Sequence, residues 1–188
     1  MQAATLHQRL SATQFLVGIV AVAGSYFLVF ELNEWVFSAT KVSDHISWVF
    51  LPAAIRMLAV MLLGWAGVAG LYLGSLAQLD DMLGIDPARA LWIAALSSVP
   101  CLLAARLVQR VLRVQADLAG MTGRHLLVFG LAGGLANSGA HTLYFMLEAD
   151  SLRPLAGFLP MFVGDTLGTL IVLYIGALVL NRLMPRGG

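Results

Sequence analysis

Residues 46–79 read ISWVFLPAAIRMLAVMLLGWAGVAGLYLGSLAQL, 34 positions with a single charge, Arg56. As one helix this stretch would be about 51 Å long, far more than a hydrocarbon core of about 30 Å requires. Its natural break is Gly64-Trp65-Ala66-Gly67, since glycine weakens a helix and permits a tight turn. Four other apolar blocks surround it: residues 10–30, 90–105, 125–147 and 154–181, the last with Asp165 inside. If 46–79 crosses twice and the amino terminus lies inside, the inner segments carry Arg9, Arg106, Arg110, Arg113, Arg124, Arg182 and Arg186 against one acid, Asp117. The outer loops then hold Glu31, Glu34, Asp44, Asp80, Asp81, Asp86, Glu148 and Asp150 against Lys41, Arg89 and Arg153. That is the positive-inside bias, and a single crossing destroys it by moving the four-arginine loop outside. The expected fold is therefore all-α: a polytopic bundle of six transmembrane helices with both termini cytoplasmic. The spans are expected at about 12–31, 47–64, 66–79, 88–108, 125–147 and 154–181, and one integral membrane domain fills 1–188.

Composition agrees. Of 188 residues 60% are apolar and 11% charged, and the mean hydropathy is +0.86. A soluble domain carries roughly 45–50% apolar and about 25% charged residues, so this chain lacks the surface to face water. A net charge of +1 offers no field for nucleic acid. The single Cys101 cannot form an internal disulfide. The run at 10–30 is too long for a signal-peptide core and has no clean Ala-x-Ala site behind it, so it is expected to stay as the first span. Trp35, Trp48, Trp65, Trp92, Tyr26, Tyr144 and Tyr174 fall mostly near predicted span ends, as interfacial aromatics do. Gly70-x-x-x-Gly74, Gly130-x-x-x-Gly134 and Gly164-x-x-x-Gly168 each place two glycines on one helix face, for packing within the bundle or for dimerisation.

Two charges lie near mid-span, Arg56 and Asp165, each roughly ten residues from the outer end of its segment. A charge at the bilayer centre costs at least about 2.5–3.5 kcal/mol, so such residues face the bundle interior and pair. Arg56 and Asp165 are therefore expected to meet, directly or through water. Asn137 and His141 are four apart and share a helix face, with Ser138, Thr142 and Tyr144 nearby. Arg56, Asn137, His141 and Asp165 together form the candidate polar core, opening outward. Two readings stand side by side. The groups fix helix register as a buried pair with hydrogen-bond partners, or they bind a ligand or relay protons, Arg56 then favouring an anionic group.

No catalytic, cofactor or metal site is expected. Ser138 and His141 lie three apart on one helix, unlike a nucleophile elbow. One helix supplies one histidine, with no cysteine or second histidine at ligand spacing, while His7, His45 and His125 sit at segment edges. Pro100 before Cys101 implies a kink. Arg106, Arg110, Arg113 and Asp117 are spaced by 4, 3 and 4, one stripe where the fourth helix leaves the membrane. Such a stripe binds anionic headgroups or docks a cytoplasmic protein partner.

Phe50-Leu51-Pro52-Ala53-Ala54, the leucine-rich run to Gly64-Trp65 and Gly70-Leu71-Tyr72-Leu73-Gly74 together resemble the membrane-associated sensor (MASE-type) domains of bacteria. Gly164-Asp165-Thr166-Leu167-Gly168 looks like the Gly-Asp-x-x-Gly pattern near the end of those domains. The resemblance covers about a third of the chain and implies a sensory module of the bacterial inner membrane. Pro52, Gly74, Gly164, Asp165 and Gly168 would be its signature positions. Such domains precede histidine kinases, diguanylate cyclases and phosphodiesterases and commonly have more than six helices. This sequence ends at Gly188 after a short basic tail, so the resemblance implies a freestanding version that passes its signal to another protein. Arg56 just after the Pro-Ala-Ala start departs from the pattern. A second resemblance, from another class, is to the substrate-binding membrane subunits of energy-coupling-factor vitamin transporters, through six short Gly/Ala-rich helices. A third reading is a packing subunit of a larger membrane complex.

Overall fold

The computed structural model describes residues 11–43, 46–112, 122–149, 151 and 153–183. The first helix, α1 (Ala12–Phe37), starts at a reciprocal cap: Ser11 Oγ accepts from the Gln14 amide and Gln14 Oε1 accepts from the Ser11 amide. A 3-10 turn and a small antiparallel hairpin follow, β1 (Lys41–Ser43) with β2 (Ile46–Ser47). Then come α2 (Pro52–Leu63), α3 (Trp65–Leu76), α4 (Asp80–Ile85), α5 (Pro87–Leu112), α6 (Gly123–Ala149) and α7 (Phe158–Leu183).

Among the described residues, four helices are long and apolar enough to cross a bilayer: α1, α5, α6 and the segment ending in α7. The spans expected at 47–64 and 66–79 are shorter as helices. α2 and α3 have 12 residues each, about 18 Å at 1.5 Å per residue. The physical reason lies at their ends. Pro52 has no amide hydrogen to continue a helix backwards, so it opens one. Gly64 takes φ +53°, a left-handed conformation that closes α2 and starts α3 in one residue. The chain before Pro52 keeps its backbone satisfied without a helix: the Phe50 amide donates to the Gly164 carbonyl at 3.0 Å, and the Leu51 amide to Asn33 Oδ1 at 2.8 Å. Residues 80–85, expected as loop, form the short α4. Pro100 lies inside α5, which continues on both sides of it.

All three glycine pairs serve contacts within the chain. Gly70 and Gly74 sit against Val22 and Ala23 of α1, Gly134 against Phe162 and Thr166 of α7, and Gly67 against the Ala59 backbone across the Gly64 turn. Gly164 and Gly168 press on the backbone of Ser47 and Phe50. These approaches set directions. Gly18 meets Leu63 and Ala66 while Gly74 meets Ala23 and Tyr26, so α3 runs parallel to α1 and packs directly on it, and α2 runs antiparallel to both. α2 ends up central, touching α1, α3, α5, α6 and α7. Its face Ala53, Ala54, Met57 and Val60 joins Tyr26, Leu71, Cys101 and Phe129 in the core. Outward faces carry Leu16, Val20 and Leu28 on α1 and Leu103, Leu107 and Val111 on α5, all exposed, as lipid contact requires.

A methyl group at Gly168 would collide with backbone, which cannot rotate away as a side chain can. Gly168→Ala is expected to cost about 1–3 kcal/mol through overpacking and to lower the melting temperature in detergent. Gly176→Ala, with open space around it, should leave the transition unchanged. Equal melting of both variants would refute the tight seating of residues 47–51 on α7.

Candidate functional site

The charged pair is made directly. Arg56 on α2 donates from Nη1 to both Asp165 oxygens on α7, at 3.3 Å each. Its Nη2 donates to the Tyr26 hydroxyl on α1 at 3.0 Å. The guanidinium lies over the Phe50 ring, 4.8 Å from its centre, and 5.7 Å from that of Tyr26. Asn137 on α6 donates from Nδ2 to Asp165 Oδ2 at 2.6 Å, which fixes the orientation of its amide, because an oxygen facing the carboxylate would repel it. Thr169 Oγ1 donates to the Asp165 carbonyl at 2.7 Å and so covers the same turn of α7. Arg56 is 6% exposed, Asn137 2% and Asp165 3%: three helices meet on one neutral, buried cluster.

His141 lies one turn beyond Asn137 on α6. Its Nδ1 is 3.0 Å from the Asn137 carbonyl, an acceptor only, so Nδ1 carries the hydrogen. In the neutral ring Nε2 then accepts, and the Ser97 hydroxyl of α5 faces it at 3.5 Å. All four expected core residues, Arg56, Asn137, His141 and Asp165, therefore line one chamber, with about 80 Å³ open to water. That is space for about five to eight waters at roughly 10–15 Å³ each. From the Arg56–Asp165 floor the chamber runs past Ser97 and Phe145 to Ser47, and Glu34 and Lys41 form an ion pair at its rim. Of the lining residues, Arg56 Nε, Gln78 Nε2 and Asn137 Oδ1 are buried and have no hydrogen-bond partner among the described residues. Buried polar atoms left so are costly and uncommon.

Four participants were not on the expected list. Tyr26, read as an interfacial aromatic, is 2% exposed and bonded to Arg56. Its signal was present: Gly18, Val22, Tyr26 and Asn33 recur at 4, 4 and 7, a helix face that turns inward. Ser97, Phe50 and Gln78 carry no comparable pattern. Trp35, Trp65, Trp92 and Tyr174, of the same set of aromatics as Tyr26, are strongly exposed. Ser138 Oγ donates to the Gly134 carbonyl at 2.7 Å, a bond within its own helix. Of the arginine stripe, Arg106 and Arg110 occupy the last turns of α5, while Arg113 and Asp117 lie outside the described residues. His7 and His45 also lie outside them, and His125 pairs with the Thr122 amide at 3.1 Å. Cys101 is buried and reduced. Among the described residues no group of His, Cys, Asp and Glu is placed to hold a metal ion.

Several long apolar helices around a polar centre fit the class of multi-pass helical membrane proteins. No family model, curated protein or solved structure matches the chain.

Removing one partner from this pair strands the other charge. Asp165→Ala should destabilise by about 3–5 kcal/mol, read as a large fall in folded yield and in melting temperature. Arg56→Met combined with Asp165→Leu should recover most of the loss, since an apolar pair needs no counter-charge. An Asp165→Ala protein that melts normally would contradict the pairing.

Proposed function

We propose that this chain is a ligand-binding sensory module of the bacterial inner membrane, receiving a small molecule from the outer side and reporting its presence to a partner protein. The observation that carries the reading is the chamber that ends on Arg56, Asn137 and Asp165, whose lining residues include three buried polar atoms, Arg56 Nε, Gln78 Nε2 and Asn137 Oδ1, with no partner among the described residues. A pair that served only to hold helices together would be expected to be dry and fully bonded. The resemblance of residues 50–54, 64–74 and 164–168 to MASE-type domains supports a sensory role and names the partners: a kinase, cyclase or phosphodiesterase. Arg106 and Arg110, near the end of α5, are the nearest basic contacts for it, with Arg113 continuing the stripe. Binding is favoured over catalysis because the Ser138 hydroxyl is spent on its own helix.

In this reading six segments thread the bilayer. α2 is lengthened by residues 47–51 and α3 by residues 77–79, so each half-length helix completes a crossing, and both termini face the cytoplasm. The charge bias between loops supports it. Alkaline phosphatase fused after Leu79 or after Ala149 should be active in cells, and after Leu112 or Leu183 inactive. Activity after Leu112 would overturn the six-crossing topology.

The binding role is tested by native mass spectrometry of the protein extracted under mild conditions. A small-molecule adduct is expected on the wild type and should be lost on Ser97→Phe, which fills the chamber. A signalling enzyme should co-purify. A bare protein would overturn the reading, and ATPase subunits in place of a signalling enzyme would turn it toward the vitamin-transporter class.

A further inference from the structure

The two strands at the chamber mouth are held very unequally. β2 and the residues after it are firmly seated. The Ile46 side chain fills the space over Gly157, the Ser47 carbonyl lies against Gly164, and the Phe50 amide donates to the Gly164 carbonyl at 3.0 Å. The Leu51 amide ties the same stretch to Asn33 of α1. β1 has none of this. All three of its residues, Lys41, Val42 and Ser43, are exposed. Its partner strand has two residues, and the pairing loses regular register between Lys41 and Ser43. A lone two-stranded hairpin is marginal in water, so the position of β1 depends on what else holds it.

One side chain does so. Among the described residues, the polar side-chain contact that β1 makes outside the hairpin is the ion pair of Lys41 with Glu34, near the end of α1. Both partners line the chamber, and their side chains are 36% and 28% exposed, so they stand at its opening and within reach of solvent. The pair folds β1 back over the 3-10 turn at Ser38–Thr40 and onto the mouth, beside the lining residue Ser43. Nearby bonds do not replace it. Thr40 Oγ1 meets the Phe37 carbonyl and the Ser47 hydroxyl, each at 2.8 Å, contacts made within the turn and with β2.

We propose that the Glu34–Lys41 pair is a latch on the chamber. Closed, it holds β1 over the mouth; broken, it lets β1 swing away from anchored β2 and admits a molecule from the outer side. An exposed ion pair is weak, worth at most about fivefold in a closed-to-open ratio, so the latch opens readily and yields to ionic strength. The buried Arg56–Asp165 pair is far less screened and keeps the helices in place while the latch works. This rests on the ligand-binding reading above and adds to it how entry is controlled.

The test places a thiol beneath the latch and times its modification. In the full chain in lipid nanodiscs, Ser75→Cys combined with Cys101→Ala puts the single cysteine on the chamber lining. The probe is methyl methanethiosulfonate, small and uncharged, so altered charge at the mouth does not steer it. The cysteine thiolate attacks its sulfur, methanesulfinate leaves, and the methyl disulfide is read by intact mass. With the latch intact, raising salt from about 0.01 to about 1 M shortens the screening length from about 30 to about 3 Å. Modification should then speed up about two- to fivefold. Lys41→Gln and Glu34→Gln should each show the fast rate at low salt and lose the salt response, and the double change should add nothing. Glu34→Lys with Lys41→Glu should restore the slow, salt-sensitive rate. Equal rates in the latched and unlatched chains, including no modification in either, would overturn the latch, as would a salt response that survives Lys41→Gln. Native mass spectrometry separates this from the binding role. Latch behaviour without an adduct keeps the latch and removes the binding role; an adduct with equal rates does the reverse.

Discussion

A guanidinium on the most central helix of an apolar bundle needs its counter-charge within reach, and Arg56 has one place to find it. α2 touches five other helices, so no rotation of it takes Arg56 to water. Asp165 must then sit at the depth of Arg56, which sets the height of α7 against α2, and Asn137 sets α6 against α7 through the same carboxylate. Tyr26 adds α1 through the second amino group. One ion pair thus holds the relative heights of four helices in a medium where apolar packing alone does little to choose among registers.

The half-length of α2 follows from the same requirement. A full-length helix would run through residues 47–51, whose backbone instead lies against Gly164 and Gly168 and bonds to α7 and α1. Those glycines allow backbone to approach backbone where a side chain would stand in the way. The approach brings Phe50 over the Arg56 guanidinium. Glycine in the Gly-Asp-x-x-Gly stretch and the aspartate beside it therefore do linked work: one admits the incoming segment, the other neutralises the charge that the following helix brings.

This logic explains what could be read beforehand and what could not. Arg56 and Asp165 were legible because charge is so scarce in these segments that each instance has to be accounted for, and a scarce cation and anion at one depth imply each other. Asn137 and His141 were legible as a four-residue repeat. Tyr26 was misplaced because a tyrosine near a span end fits the interface equally well. Its inward direction shows only in the company of Gly18, Val22 and Asn33. Ser97 and Phe50 had no such company. A serine in an Ala/Ser-rich helix is ambiguous, and Phe50 acts from a segment whose departure from helix depends on glycines more than 110 residues away. The charge-free run also overstated the helical length at 47–51, because apolar composition reports burial in lipid or protein alike and not the backbone's hydrogen-bond partners.

A buried ion pair is a poor way to gain stability, since desolvating both groups consumes most of their attraction and an apolar pair of similar volume often does as well. Its presence calls for another reason, and the shape of the cluster points to one. Asp165 draws Arg56 and Asn137 to the same wall and leaves each with one group unspent. Apolar residues could hold the helices but could not give the chamber a polar end. An unpaired arginine would give it one, but its bare charge would dominate any selection. The pair supplies polarity without net charge at the end of a narrow space walled by phenylalanines. In the binding role proposed above, such a lining would select by hydrogen bonding and not by net charge.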